Sequence, residues 1–221
     1  MTLERRAAIS ALVSRIATVR LAHPTRVAVD GRTASGKTTL ADEIGADLRA
    51  IGRNVIRTSV DGFHRPKVDR YRRGRLSAEG YLDDARDWSA MRSLLLEPLG
   101  PGGNSYYKTA SFDLVRDEPI AQTAMRASRC AILIVDGTFL QRPELVDCWD
   151  LVVFVDVMEE LAIQRGIMRD AAALGGEDRA AEAHRLRYQA AFALYEERVN
   201  PRGRAQLVFC NNDVLAPSVS G

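Results

Sequence analysis

Glycine, lysine and threonine stand at the spacing of a phosphate-binding loop in Gly31-Arg-Thr-Ala-Ser-Gly36-Lys37-Thr38, which fits G-x-x-x-x-G-K-[ST], the Walker A pattern, without a gap. Lysine is scarce enough to make the match informative: Lys37, Lys67 and Lys108 are the only lysines among 31 basic residues. Gly31 and Gly36 let a backbone fold tightly and aim its N–H groups at phosphate oxygens. Lys37 supplies a point charge for the β- and γ-phosphates, and the Thr38 hydroxyl can ligate Mg²⁺. Arg32, Thr33, Ala34, Ser35 and Thr39 complete the expected nucleotide-binding stretch. The competing reading is a glycine-rich turn that merely caps a helix.

Two carboxylates close apolar runs in the manner of a phosphoryl-transfer site. Asp136 ends Ala131-Ile-Leu-Ile-Val-Asp136, and an acid so placed beside a phosphate loop serves the Mg²⁺ side, usually through water. Asp61, in Ser59-Val-Asp-Gly-Phe-His64, is placed to accept the proton of an attacking hydroxyl. The bland alternative for Asp61 is the start of an Asp-Gly turn. Arg165 and Arg169 lie four apart on a predicted helix and share a face, suited to charge that develops on a transferring phosphate. Against this stands the solvated helix face on which an arginine-rich chain puts many such residues. Arg179, Arg185 and Arg187 follow after a glycine-rich connection, as candidates for the same closing lid.

The elements that must position these groups are visible as periodicity. Short β-branched or apolar runs predict strands at 26–30, 54–60, 130–136, 151–155 and 205–210. Helical spacing predicts helices at 3–21, 38–50, 84–97, 116–128, 158–173 and 178–199, with Leu3, Ala7, Leu12, Ile16 and Val19 on one face of the first. Alternating strands and helices, with nearly continuous apolar strands, mean an α/β chain whose parallel sheet is covered on both faces. Strand, glycine loop and helix in that order set a helix N-terminus against an anion. In such sheets ligands collect beyond the carboxyl ends of the strands, where Gly31, Asp61 and Asp136 all fall. The basic run Arg70, Arg72, Arg73 and Arg75 and the rings of Tyr81, Trp88, Tyr107 and Phe112 make 62–128 the expected acceptor-binding region. The residues after 216 read as a frayed tail.

Bulk properties remove several classes. The 221 residues suit one compact domain, and a net charge of +2 gives no electrostatic pull toward nucleic acid or anionic membrane. Three cysteines without metal spacing read as buried free thiols, and no apolar run is long enough for a bilayer, so a soluble cytoplasmic protein is expected. A regulatory GTPase would need N-K-x-D, whereas Asn211-Asn212-Asp213 lacks the lysine. A transport or mechanical ATPase would need a second signature motif. Homo-oligomerisation is left open.

Val27-Ala-Val-Asp-Gly31, Ser35-Gly-Lys-Thr-Thr39, Asp61-Gly-Phe-His64, Asp84-Ala-Arg-Asp87 and Ile134-Val-Asp-Gly-Thr-Phe139 together resemble the phosphoribulokinase/uridine kinase group of P-loop kinases, which includes type I pantothenate kinases. The likeness spans roughly 25–213. It implies a three-layer P-loop sandwich with five parallel strands ordered 2-3-1-4-5, and a helical lid over 162–190 that carries Arg165 and Arg169. It also implies ATP as donor with Mg²⁺ held by Thr38 and Asp136, Asn212 near the adenine, and Asp61 as base. The acceptor is a small hydroxyl compound, a nucleoside first and pantothenate or a sugar second. It would meet Asp61, Phe63, His64, Tyr81, Asp84, Tyr107, Phe112 and Arg169. The chain departs from uridine kinases where Tyr81 replaces a ribose-binding aspartate and Phe112 stands in a region that carries a histidine. It departs from pantothenate kinases at Thr109, where they carry a histidine.

Overall fold

The computed structural model describes residues 1–221. Five parallel strands, β1 (Thr25–Gly31), β2 (Val55–Ser59), β3 (Ile132–Gly137), β4 (Leu151–Asp156) and β5 (Leu207–Cys210), run in the order β2-β3-β1-β4-β5. This is the expected 2-3-1-4-5 order. The sheet has six strands rather than five, because β6 (Ser218–Ser220) pairs antiparallel with β5. The supposed frayed tail is therefore an edge strand. With Val219 the one apolar residue of a three-residue strand between serines, period two could not reveal it.

Alternation along each buried strand builds two cores, one on each face of the sheet. Val27, Val29, Ile132, Ile134, Val153 and Val155 point to one side, toward α1 (Leu3–Thr18) and α2 (Lys37–Ala50). Ala28, Leu133, Val135, Val152 and Phe154 point to the other, toward Trp88, Leu95, Phe192 and Tyr195. These two packed faces explain why the strands read as continuous apolar runs. Helix α1 buries Arg5, Ala8, Ile9, Leu12, Val13 and Ile16, so its inner face is rotated from the one expected, and Leu3 is exposed.

Beyond β4 the chain forms α3 (Glu159–Leu174), turns through Gly175 and Gly176, and returns as α4 (Glu177–Glu182). Wide π-type turns over Ala183–Gln189 lead into α5 (Ala190–Val199). The helix predicted at 116–128 is absent. Two small ribbons stand there, Tyr106–Tyr107 with Met125–Arg126 and Phe112–Asp113 with Glu118–Pro119. Asp117 at φ 59° turns the second ribbon, and Pro119 lacks the N–H a helix would need. Of the cysteines, all free, only Cys148 is buried, and Cys130 is exposed. No helix is long and apolar enough to cross a membrane.

Candidate active site

At the carboxyl end of β1 the chain turns through the phosphate loop into α2. Gly36 caps that helix at φ +93°, and a Cβ there would sit 2.6 Å from the Asn211 amide nitrogen. Gly31 is equally constrained, since a Cβ would meet the Val155 carbonyl at 2.6 Å. Both positions demand glycine for backbone and for space. The loop is held from below by segments remote in sequence. Asn211 donates to the Ser35 carbonyl at 2.8 Å. The fully buried Asp30 accepts from Tyr195 at 2.6 Å, Gln141 at 3.1 Å and the backbone N–H groups of Gly31 and Phe139. Burial pushes the Asp30 carboxyl above its ordinary range despite these donors. The Arg32 side chain, mostly buried, stacks on Phe192 and pairs with Glu159 and Glu196.

The loop suits a bound triphosphate on its own evidence. The Thr33 and Ser35 hydroxyls are buried without partners, as polar groups awaiting a ligand would be. Lys37 is buried and donates to the Arg32 carbonyl at 2.6 Å. Desolvation lowers its pKa to about 8, with Asp136 and Asp30 partly opposing the shift. Since a triphosphate needs the charged form, nucleotide affinity should decline as pH rises through about 8. Titration calorimetry across that range checks this, and Lys37→Met should erase the inflection.

Thr38 and Asp136 meet as expected, with the hydroxyl donating to the carboxylate at 2.6 Å. Asp136 is buried at the end of β3, and Arg57 approaches its other oxygen at 2.7 Å. A hydroxyl and a carboxylate are hard oxygen donors that suit Mg²⁺ alongside phosphate and water. Thr39 is exposed in α2 and lines neither the pocket around Lys37 and Asp136 nor the cavity that adjoins it.

Asp61 lies in a short helical turn after β2, its N–H held by the Ser59 hydroxyl at 3.3 Å. Its side chain is 63 % exposed at the cleft. Arg86 reaches it at 3.4 Å, and His64 lies 4.0 Å away while donating from Nδ1 to the Asp61 carbonyl. Desolvation would raise its pKa, but Arg86 and His64 outweigh that and hold the carboxyl below its usual range. Burial pushes His64 down to about 4, so the imidazole is neutral near pH 7.

A pocket of about 130 Å³ joins Thr33, Lys37, Thr38, Asp61, Asp136 and Arg169. An adjoining cavity of about 300 Å³ is lined by Asp61, His64, Tyr81, Arg86, Arg169 and Arg187, with Tyr71 and Tyr188. These two spaces bring together the expected catalytic and metal-holding residues apart from Arg165, with His64 and Tyr81 of the expected acceptor contacts. Other expected residues lie elsewhere. Phe63 and Tyr107 are core residues beneath the cleft. Phe112 packs under the Arg70 guanidinium. Asp84 is buried in ion pairs with Arg72 and Arg73 rather than lining either space. The two arginines of α3 also separate. Arg169 lines both spaces and grips Asp170 with two hydrogen bonds, whereas Arg165 donates to the carbonyls of Asn211 and Asn212. The Asn212 side chain accepts from the Met158 N–H at 2.8 Å. Arg169→Ala should therefore lower kcat more than it weakens ATP binding, while Arg165→Ala should act on ATP binding first; steady-state kinetics of both variants decide.

Sequence reasoning missed Arg86, which is buried between Tyr81 and Trp88 and holds Asp61. It also missed Asn211 and Asp30 as supports of the loop.

The model of the phosphoribulokinase / uridine kinase family matches residues 27–207. The chain is 28% identical over 154 residues to uridine-cytidine kinase B of Dictyostelium discoideum, an alignment covering 69% of this chain and 61% of that protein. The chain thus spans less than two thirds of that relative. Among solved structures, one described as a possible uridine kinase from Bacillus stearothermophilus is 25% identical, with a TM-score of 0.73 over 93% of this chain and 99% of that one. A D-glycerate 3-kinase from Cryptococcus neoformans shares the fold at 12% identity, with a TM-score of 0.61 and 100% coverage of both chains.

Proposed function

Because the chain belongs to the phosphoribulokinase / uridine kinase family, we propose that it transfers the γ-phosphate of ATP to a hydroxyl of a small molecule, a nucleoside first among the acceptors. The observation that carries this reading is the meeting of Lys37, Thr38, Asp136, Asp61 and Arg169 around one pocket. Kinases of this family generally use ATP with Mg²⁺. Thr38 and Asp136 would hold the ion, which when bound neutralises phosphate charge during transfer. Lys37 and Arg169 bind and orient the donor phosphates. Asp61, ionised through neutral pH, accepts the hydroxyl proton, and Arg86 fixes its orientation.

The nucleoside acceptor draws support from the names of the relatives and from the rings of Tyr71, Tyr81 and Tyr188 around the outer cavity. Pantothenate or a sugar is the second reading, favoured by the guanidinium groups that share that cavity. Purified protein with Mg-ATP should consume ATP in proportion to an added hydroxyl compound from one of these classes, with ATP preferred to GTP. ATP hydrolysis independent of every acceptor would mean a P-loop ATPase or a nucleotide-binding regulatory module instead.

A further inference from the structure

We propose that the acceptor carries an anion, a carboxylate or a phosphate ester, bound between Arg86 and Arg187 in the cavity beside Asp61; this rests on the kinase reading above. The four arginines lining that cavity are not equivalent. Arg70 is fully engaged, donating to the Arg65 carbonyl at 2.7 Å and pairing with Asp117 at 3.0 Å. Arg169 pairs with Asp170 and also lines the inner pocket, where it serves the donor phosphates. Arg86 is different: its side chain is 5 % exposed, yet Nε and Nη1 have no partner. Only Nη2 is used, shared at 3.4 Å with Asp61 and 3.3 Å with the Tyr81 hydroxyl. Arg187 is also buried and forms no ion pair. Its hydrogen bond goes to the Arg75 carbonyl, and its charge lies over the rings of Tyr71 and Tyr81 at 4.8 and 5.1 Å.

Two buried guanidinium groups thus line one cavity whose carboxylates are Asp61, largely exposed, and Asp170, already paired with Arg169 and His184. The neutral His64 adds no counter-charge. A buried cation without a partner is costly, and the planar guanidinium fork is shaped for a carboxylate or phosphate. A neutral ribose would leave those N–H groups unpaired. Arg86 lines both spaces, but the donor's own phosphates do not account for Arg187, which lines the outer cavity and not the pocket around Lys37 and Thr38.

Matched pairs that differ by one anion isolate the effect: uridine and orotidine, panthenol and pantothenate, glycerol and glycerate, ribose and ribose 5-phosphate. The last pair separates phosphate from carboxylate as the source of the charge. Acceptor-dependent ATP consumption gives kcat/KM. Calorimetry on protein saturated with Mg²⁺ and a non-hydrolysable ATP analogue gives acceptor binding. At least one acidic member should exceed its neutral partner by about 100-fold or more in kcat/KM. Arg187→Met, which keeps the aliphatic stem against the rings, should lower kcat/KM for the acidic member far more than for the neutral one and so erase that preference. Acid binding without phosphoryl transfer would leave this inference standing and remove the kinase reading. Neutral members bound and turned over as well as the acids, or an Arg187→Met variant with unchanged discrimination, would overturn the inference and spare the kinase. Failure of every acidic member, and of inorganic phosphate at millimolar concentration, to bind would also overturn it.

Discussion

Replacing Lys37 by Ala should lower kcat by at least ~10²–10³-fold while the folded structure persists. The side chain is buried under the loop, and its ammonium reaches the Arg32 carbonyl at 2.6 Å from a pocket that also holds Thr38, Asp136 and Asp61. Such a preorganised, desolvated charge acts on the transferring phosphate without reorganisation during reaction. Structural cost should be small. The folded state already disfavours the lysine charge, since the pKa falls to about 8 from 10.5. The sign follows: below pH 8 both folded and unfolded chains carry the proton and the burial penalty is fully present, and it fades as pH rises between the two values. The Ala variant lacks that penalty, so thermal unfolding at pH 7 should show no loss of stability. Near-normal turnover in this variant would rule out the kinase assignment.

The strand-end acids should fail in different ways. Asp61→Asn keeps the shape and much of the hydrogen bonding to Arg86 but cannot accept a proton. Transfer should fall by ~10²–10⁴-fold while ATP affinity stays near wild type. Because Arg86 and His64 hold the Asp61 carboxyl below its usual range, the wild-type rate should be flat in acid until the pH falls through that lowered value. Asp136→Asn should instead raise the Mg²⁺ requirement and be partly rescued by added Mg²⁺. It should also cost ~1 kcal/mol of stability, because the Arg57 guanidinium 2.7 Å away loses one of its two charged partners and keeps Asp42 alone. Rescue of the Asp61 variant by Mg²⁺, with none for Asp136, would reverse the two roles.

What could be read from the residues was whatever is written locally. The phosphate loop, the strand-end acids and the five parallel strands announce themselves by spacing and period. The acceptor side does not, because its chemistry depends on which charges cancel across the fold. Asp84 and Arg86 stand two apart in one motif. Arg72 and Arg73 neutralise the first, leaving it structural, while the second is buried with Nε and Nη1 unpaired. Phe63 and Tyr107 illustrate the same limit: a ring near a motif fits core or ligand equally until its neighbours are known, and here both are core. Arg165 and Arg169 share a helix face as spacing required, yet the carbonyls after β5 capture one of them.

The supports beneath the phosphate loop have a consequence for biosynthesis. Asp30 is clamped by Gln141 and Tyr195, and Ser35 is held by Asn211, which also receives the Arg5 guanidinium at 3.3 Å. A ribosome delivers these residues in order, so a nascent chain carries the complete eight-residue motif long before anything exists to brace it. With Tyr195 and Asn211 still unmade, the Asp30 carboxylate has lost its shortest bond and the glycine turn its floor. Nucleotide binding should therefore await the finished chain, with ATP stabilising only molecules whose last parallel strand has already joined the sheet.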